Sequence, residues 1–171
     1  MMTCSQTTDA LRSIKGWRLT ASFSVGGFLW VSFSRREPHR FLCISAQKIT
    51  VADCIRGTVT ECNAVYDEEA LIAYSDAFPE EETVLAGEYG GSLPADSGHG
   101  EQIITTALPD GLSAISFRTA DGESILFYLC YPAYICGFSP DGNAMILADD
   151  GDVYVLARET NPEGGAANAA D

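Results

Sequence analysis

Asp96, Ser97 and His99 bring a carboxylate, a hydroxyl and an imidazole within four residues, the groups that nucleophilic hydrolysis uses. Their surroundings point elsewhere. Hydrolytic serines sit on strained, scaffolded turns, whereas Ser97 lies in residues 87–101, which hold five glycines in fifteen residues and no Gly-x-Ser-x-Gly. That segment reads as a long loop that serves as a lid, since glycines permit large dihedral changes. Asp149-Asp150-Gly151-Asp152 gathers carboxylates but lacks the alternating spacing and distal glutamate of a calcium loop, and reads as a hairpin turn. His39 and His99 stand sixty residues apart and the six cysteines form no Cys-x-x-Cys pair, so neither a metal nor a cofactor is expected. With so few groups for acid and base chemistry, the expectation is a non-enzymatic protein.

Two charged segments remain as binding candidates. Arg35, Arg36, His39 and Arg40 fall within six residues, and their guanidinium forks suit a phosphate or carboxylate. The competing reading pairs this loop with acids of its own chain. Asp67, Glu68, Glu69, Asp76, Glu80, Glu81 and Glu82 place seven acids in sixteen residues, a field that attracts and steers a basic protein; the competing reading is plain solvation.

The charge of the whole chain has the same polarity. Residues 1–56 carry eight basic and three acidic residues, about +5, and the remainder two basic and twenty-one acidic, about −19. A net charge of −14 disfavours nucleic acid and anionic membrane as partners and favours a basic protein. The first seventeen residues lack the apolar run of an export signal and no segment has the ~20 apolar residues of a membrane helix, so the cytosol and reduced cysteines are expected.

The elements that must carry these groups are nearly all strands. Residues 7–16 read as one short helix capped by Thr8 or Asp9 and stopped by Gly16. From Arg18 to Val25 apolar and polar residues alternate, and Gly26-Gly27 then suits a hairpin that sets Phe23 opposite Trp30 and Val25 opposite Phe28. Further candidate strands run through 41–45, 48–54, 57–64, 70–74, 83–87, 102–107, 112–118, 124–131, 134–138, 144–148 and 153–158, separated by Asp-Gly and Pro-Asp-Gly turns. The run Ile125–Tyr131 is apolar on both faces, as in a central strand or a subunit interface. Length and composition predict a single all-β domain over residues 1–158, a meander barrel or sandwich of ten to twelve strands with a short N-terminal helix, followed by a disordered tail over 159–171.

Residues 136–158 hold Phe138-Ser139-Pro140-Asp141-Gly142 and then Asp150-Gly151 before Val153–Leu156. This segment resembles one repeat of a β-propeller, which implies a turn between two strands and an outer strand after the Asp-Gly, with a small propeller as the alternative fold. The residues themselves predict an acidic interaction module that binds a basic surface through residues 67–82, as inhibitors, immunity proteins and nucleic-acid mimics do. The alternatives are a small-molecule-binding barrel that holds an anion at Arg35, Arg36, His39 and Arg40 beneath the 87–101 lid, and a subunit that self-associates through Ile125–Tyr131 or a sheet edge.

Overall fold

A computed structural model describes residues 1–160; of the tail expected over 159–171, residues 161–171 lie outside the described residues. In chain order the elements are α1 (Cys4–Arg12), β1 (Trp17–Ser24), β2 (Phe28–Phe33), β3 (Arg40–Ser45), β4 (Ile49–Asp53), β5 (Val59–Glu61), β6 (Ala64–Asp67), β7 (Ile72–Ser75), β8 (Phe78–Val84), β9 (Ala86–Gly87), β10 (Gln102–Ala107), β11 (Ser113–Arg118), β12 (Ser124–Cys130), β13 (Ile135–Phe138), β14 (Ala144–Ala148) and β15 (Asp152–Arg158). The chain is all-β with one short helix, as the turn spacing predicts. Its strands form four antiparallel sheets, ordered β1-β15-β14-β13, β5-β4-β3-β2-β9, β6-β7-β8 and β10-β11-β12, and no sheet closes into a barrel.

Three apolar clusters stack the sheets. Strand β14 is buried at all five positions because both its faces are covered: Ala144, Ile146 and Ala148 join a cluster with Phe28, Val31, Phe41 and Cys43, while Met145 and Leu147 join Leu11, Trp17, Ile115 and Phe117. A third cluster sets Trp30, Leu42 and Ile44 against Ala73, Phe78 and Leu85 of the β6-β7-β8 side. The β1-β15-β14-β13 and β5-β4-β3-β2-β9 sheets are therefore sandwiched, and β6-β7-β8 and β10-β11-β12 each bury one face.

Several local expectations change. The helix starts earlier than its apolar spacing suggests, because Thr3 and Gln6 form a reciprocal capping box. Gly26-Gly27 closes no hairpin: β1 pairs with β15, and residues 25–28 are held between two other turns, with the Val25 amide on the Gly151 carbonyl, the Phe28 amide on the Asp150 carbonyl and the Ala46 amide on the Gly27 carbonyl. The single strand expected over 57–64 is divided between β5 and β6, which belong to different sheets. The Ile125–Tyr131 run is an edge strand rather than a central one. Its apolar look on both faces comes from a bulge: Leu126 faces Ser116 and Tyr128 faces Ile115, so Phe127 is the extra residue and both Phe127 and Tyr128 turn inward. The segment before α1 covers its free edge, with the Met2 amide donating to the Leu129 carbonyl at 2.7 Å.

Residues 88–101 do not form a free flap. The Phe138 amide bonds the Pro94 carbonyl and the Ile103 amide the Ala95 carbonyl, both at 2.8 Å, and Leu93 packs into the cluster around Phe28. No described helix is long and apolar enough to cross a membrane.

Candidate functional site

The acidic residues divide by what their carboxylates touch. Glu81 is buried; it accepts the Ser34 hydroxyl at 2.8 Å, the Arg35 amide, and the Arg36 amide at 3.4 Å, closing the turn that carries the basic loop. Burial pushes its carboxyl up, but the hydrogen bonds from the Arg35 amide, the Ser34 hydroxyl and the Arg36 amide, together with the Arg36 charge, hold it below the usual carboxylate range. Asp76 accepts the Asn63 amide at 3.0 Å and side-chain nitrogen at 3.1 Å, and Asp67 caps the β6–β7 turn through the Glu69 and Ala70 amides at 2.9 Å each. Glu68, Glu69 and Glu80 are exposed and make no side-chain hydrogen bond to a described residue, while exposed Glu82 accepts the Tyr74 hydroxyl.

Alternation along β8, which also bulges here, separates these roles. Between the pairs Ala73–Thr83 and Ser75–Phe78, strand β8 carries three more residues than β7, and Glu80 takes a left-handed φ of 58°. Glu81 and Thr83 face inward and Glu80, Glu82 and Val84 outward, as strand alternation requires, and the extra residues bring Phe78 back to the inner face.

The outer face of β6-β7-β8 is apolar at its centre. Val65 faces Tyr74 across one pair and Ile72 faces Val84 across the next, and Val65, Tyr74 and Val84 are 70%, 46% and 50% exposed. Asp67, Glu68, Glu69, Glu80 and Glu82 frame them. An apolar centre with a carboxylate rim suits a partner that brings aliphatic stems ending in cations.

The basic loop is partly spent on its own chain. Arg36 donates to the Pro79 carbonyl at 3.5 Å and the Glu80 carbonyl at 3.3 Å, and Arg40 pairs with Glu37 at 2.7 Å and lies 5.3 Å from the Phe78 ring centre. Of the four anion-binding candidates, His39 and Arg40 together line a cleft of about 340 Å³. Arg35 is exposed.

A second constellation is one that sequence reasoning missed. Glu101, nearly buried, accepts Trp17 Nε1 at 2.7 Å, the Ser97 hydroxyl at 3.0 Å, and both terminal nitrogens of Arg158 at 3.2 and 2.6 Å. Arg158 also donates to the Gly142 carbonyl at 3.0 Å and the Asn143 side chain at 3.2 Å, and its guanidinium lies 4.7 Å from the Trp17 ring centre. Burial pushes the Glu101 carboxyl up, but the hydrogen bonds from Arg158, Trp17 and Ser97 and the Arg158 charge outweigh it and hold it below the usual range. The pair ties the 97–101 turn to the Pro140-Asp141-Gly142 turn and to the end of β15. Beside it opens a cleft of about 570 Å³, lined by Arg18, His39, Cys54, Asp141 and Arg158 among others. No motif could have flagged the pair, since Glu101 and Arg158 are 57 residues apart and each stands alone in the sequence.

Ser97 and His99 do not form a nucleophile and its base: the Ser97 hydroxyl is on Glu101, and the His99 ring sits 3.4 Å from the Asp141 carbonyl. Burial pushes the Cys43 and Cys136 thiols up to about 12 and raises Cys54 further, which keeps all three as thiols at neutral pH. Among the described residues no three His, Cys, Asp or Glu side chains gather as a metal-ligand set. No protein-family model and no curated protein matches this chain.

Proposed function

We propose that this protein is a non-enzymatic interaction module that binds a basic surface on a macromolecular partner through the outer face of β6-β7-β8. The observation that carries this reading is the exposed apolar centre of Val65, Tyr74 and Val84 within a rim of exposed carboxylates, of which Glu68, Glu69 and Glu80 make no side-chain hydrogen bond to a described residue. Asp67, Glu68, Glu69, Glu80 and Glu82 supply the rim. Asp76, exposed, and Glu81, buried, hold local structure instead, because their oxygens are occupied by Asn63 and by the Ser34–Arg36 turn. An apolar contact fixes orientation and the rim charges accelerate and screen the encounter.

The resemblance of residues 136–158 to a propeller repeat is retained as part of the proposal. In its favour, β13, β14 and β15 form the two hairpins it implies and β1 adds beside β15. Pairing of the basic loop with Pro79–Glu81 weighs against a dedicated anion site at Arg35, Arg36, His39 and Arg40.

The test is photo-crosslinking from position 74 in the native cell extract, followed by binding of the purified crosslinked partner at 50 and 300 mM salt. The expected result is a basic partner whose affinity falls steeply with salt and is lost in the Glu80→Lys/Glu82→Lys variant. Salt-independent binding, or binding indifferent to those charge reversals, refutes the reading.

A further inference from the structure

Most sheet edges in this fold are covered. The β12 edge is taken by Met2, the β13 edge by Pro94, and the β10 edge by Ala95. The Thr20 carbonyl of β1 lies so close to Gly57 that a side chain there would strike it, and the β8 edge meets β2 through the Ser32 hydroxyl on the Val84 carbonyl at 2.9 Å. Among the described residues two edges stay open: that of the three-residue β5, which pairs with β4 alone, and that of the longer β6. Strand β6 pairs with β7 alone, and no other described residue exchanges a main-chain hydrogen bond with Ala64–Asp67. It also sets Val65 and Tyr66, both exposed, side by side, and carries none of the lysines, prolines or bulges that blunt an open edge.

We propose that β6 is a docking edge to which the basic partner adds an extended segment as a fourth strand of β6-β7-β8. This rests on the acidic-face reading and specifies how the partner engages it. Main-chain hydrogen bonds to the open edge supply affinity, and side chains at every second position read the outer face. Val65 and Asp67 lie two residues apart on that face, with Glu68 and Glu69 beyond. The added strand therefore presents an apolar residue against Val65 and Tyr74 and a basic residue two positions away. A second copy of this chain is the wrong occupant: pairing β6 with itself brings two sets of Asp67, Glu68 and Glu69 to one short ladder, which like charge opposes.

The test uses the full-length protein, labelled for amide nuclear magnetic resonance, and a capped peptide Lys-Thr-Val-Thr-Lys, whose one face alternates basic and apolar and which reads alike in either direction. The expected result is that the Ala64 and Tyr66 amides, which point away from β7, shift and exchange more slowly on binding, while those of Val65 and Asp67, paired with Tyr74 and Ile72, change little. N-methylation at the central valine of the peptide, or at its two threonines, blocks opposite edges. One of these two peptides loses about tenfold in affinity and the other does not. A peptide of the same composition reordered Lys-Lys-Thr-Thr-Val, if it binds equally well, overturns strand addition and leaves the acidic-face reading standing. Absence of binding by either peptide at 50 mM salt overturns both. A peptide-free dimer in sedimentation that the Val65→Lys variant converts to monomer overturns the choice of partner in favour of self-pairing.

Discussion

Replacing Glu101 with alanine is expected to destabilise the fold by about 3 kcal/mol, at the low end of the range for breaking a buried ion pair. The magnitude follows from what is left behind. Trp17 Nε1 loses its acceptor in a buried place, and Arg158 loses a two-pronged partner, keeping the Gly142 carbonyl, the Asn143 side chain and the Trp17 face. The Arg158 side chain is 27% exposed and that of Glu101 11%, so water relieves part of the orphaned charge and the upper end of the range is not reached. At about 2–4 °C per kcal/mol for a domain of this size, the melting temperature falls by about 6–12 °C. Urea denaturation with an unchanged m-value is the primary assay, and the double mutant with Arg158→Met separates the pair from its surroundings. Its loss should be about 2 kcal/mol smaller than the sum of the two single losses. The pair also fixes the sign of the acid response. Because the folded carboxyl lies below its unfolded value of about 4.3, its stabilisation is present above that pH and is lost as pH falls through the folded value. The wild type should then lose stability more steeply than Glu101→Gln below about pH 4. A Glu101→Ala loss under about 0.5 kcal/mol, with additive double-mutant energies, refutes the reasoning.

Glu81→Gln is expected to cost about 1–3 kcal/mol by weakening three bonds at the Ser34–Arg36 turn, whereas Glu80→Gln and Glu82→Gln stay within about 0.5 kcal/mol, all read by urea denaturation. Gly142→Ala should be far more damaging than Gly111→Ala: both glycines have positive φ, at 72° and 83°, but a methyl at 142 runs into the Ser97 carbonyl while one at 111 meets nothing within 4 Å. The Gly111 variant loses about 1 kcal/mol in calorimetry, and the Gly142 variant more than about 3 kcal/mol or its ability to fold. In native protein, iodoacetamide should label exposed Cys4 within minutes and spare Cys43 and Cys54 until denaturant is added, as mass spectrometry of the peptides will show.

The strands were legible in the sequence where period and turn chemistry agreed. Gln102–Ala107 and Ala144–Ala148 fall where the apolar runs and flanking Asp-Gly turns put them. Pairing was not legible, because Gly26-Gly27 satisfies the local rule for a hairpin while the better partner for β1 lies more than a hundred residues away in β15. The bulge in β12 hid in the same way: period-two reasoning sees apolar residues on both faces, and only the extra residue opposite β11 turns Phe127 and Tyr128 to one side. Within the candidate surface, three adjacent glutamates look alike as letters. Their fates diverge because β8 begins at Phe78 rather than at Thr83, so that strand alternation turns the middle one inward to Ser34 and leaves its neighbours in solvent.

The pairing of β1 with β15 has a consequence for how the chain comes to be folded. Strand β1 leaves the ribosome early, yet its ladder from Trp17 to Ser24 waits for Asp152–Arg158, so the innermost sheet is assembled last and every earlier hairpin must survive without it. Any truncation that removes β15 strands β1 as an unpaired amphipathic ribbon and uncovers faces of two cores at once. Joining the chain ends through a linker and reopening it at the exposed Pro109–Gly111 turn would make β15 and β1 neighbours in sequence, turning the slowest closure of this fold into a local one.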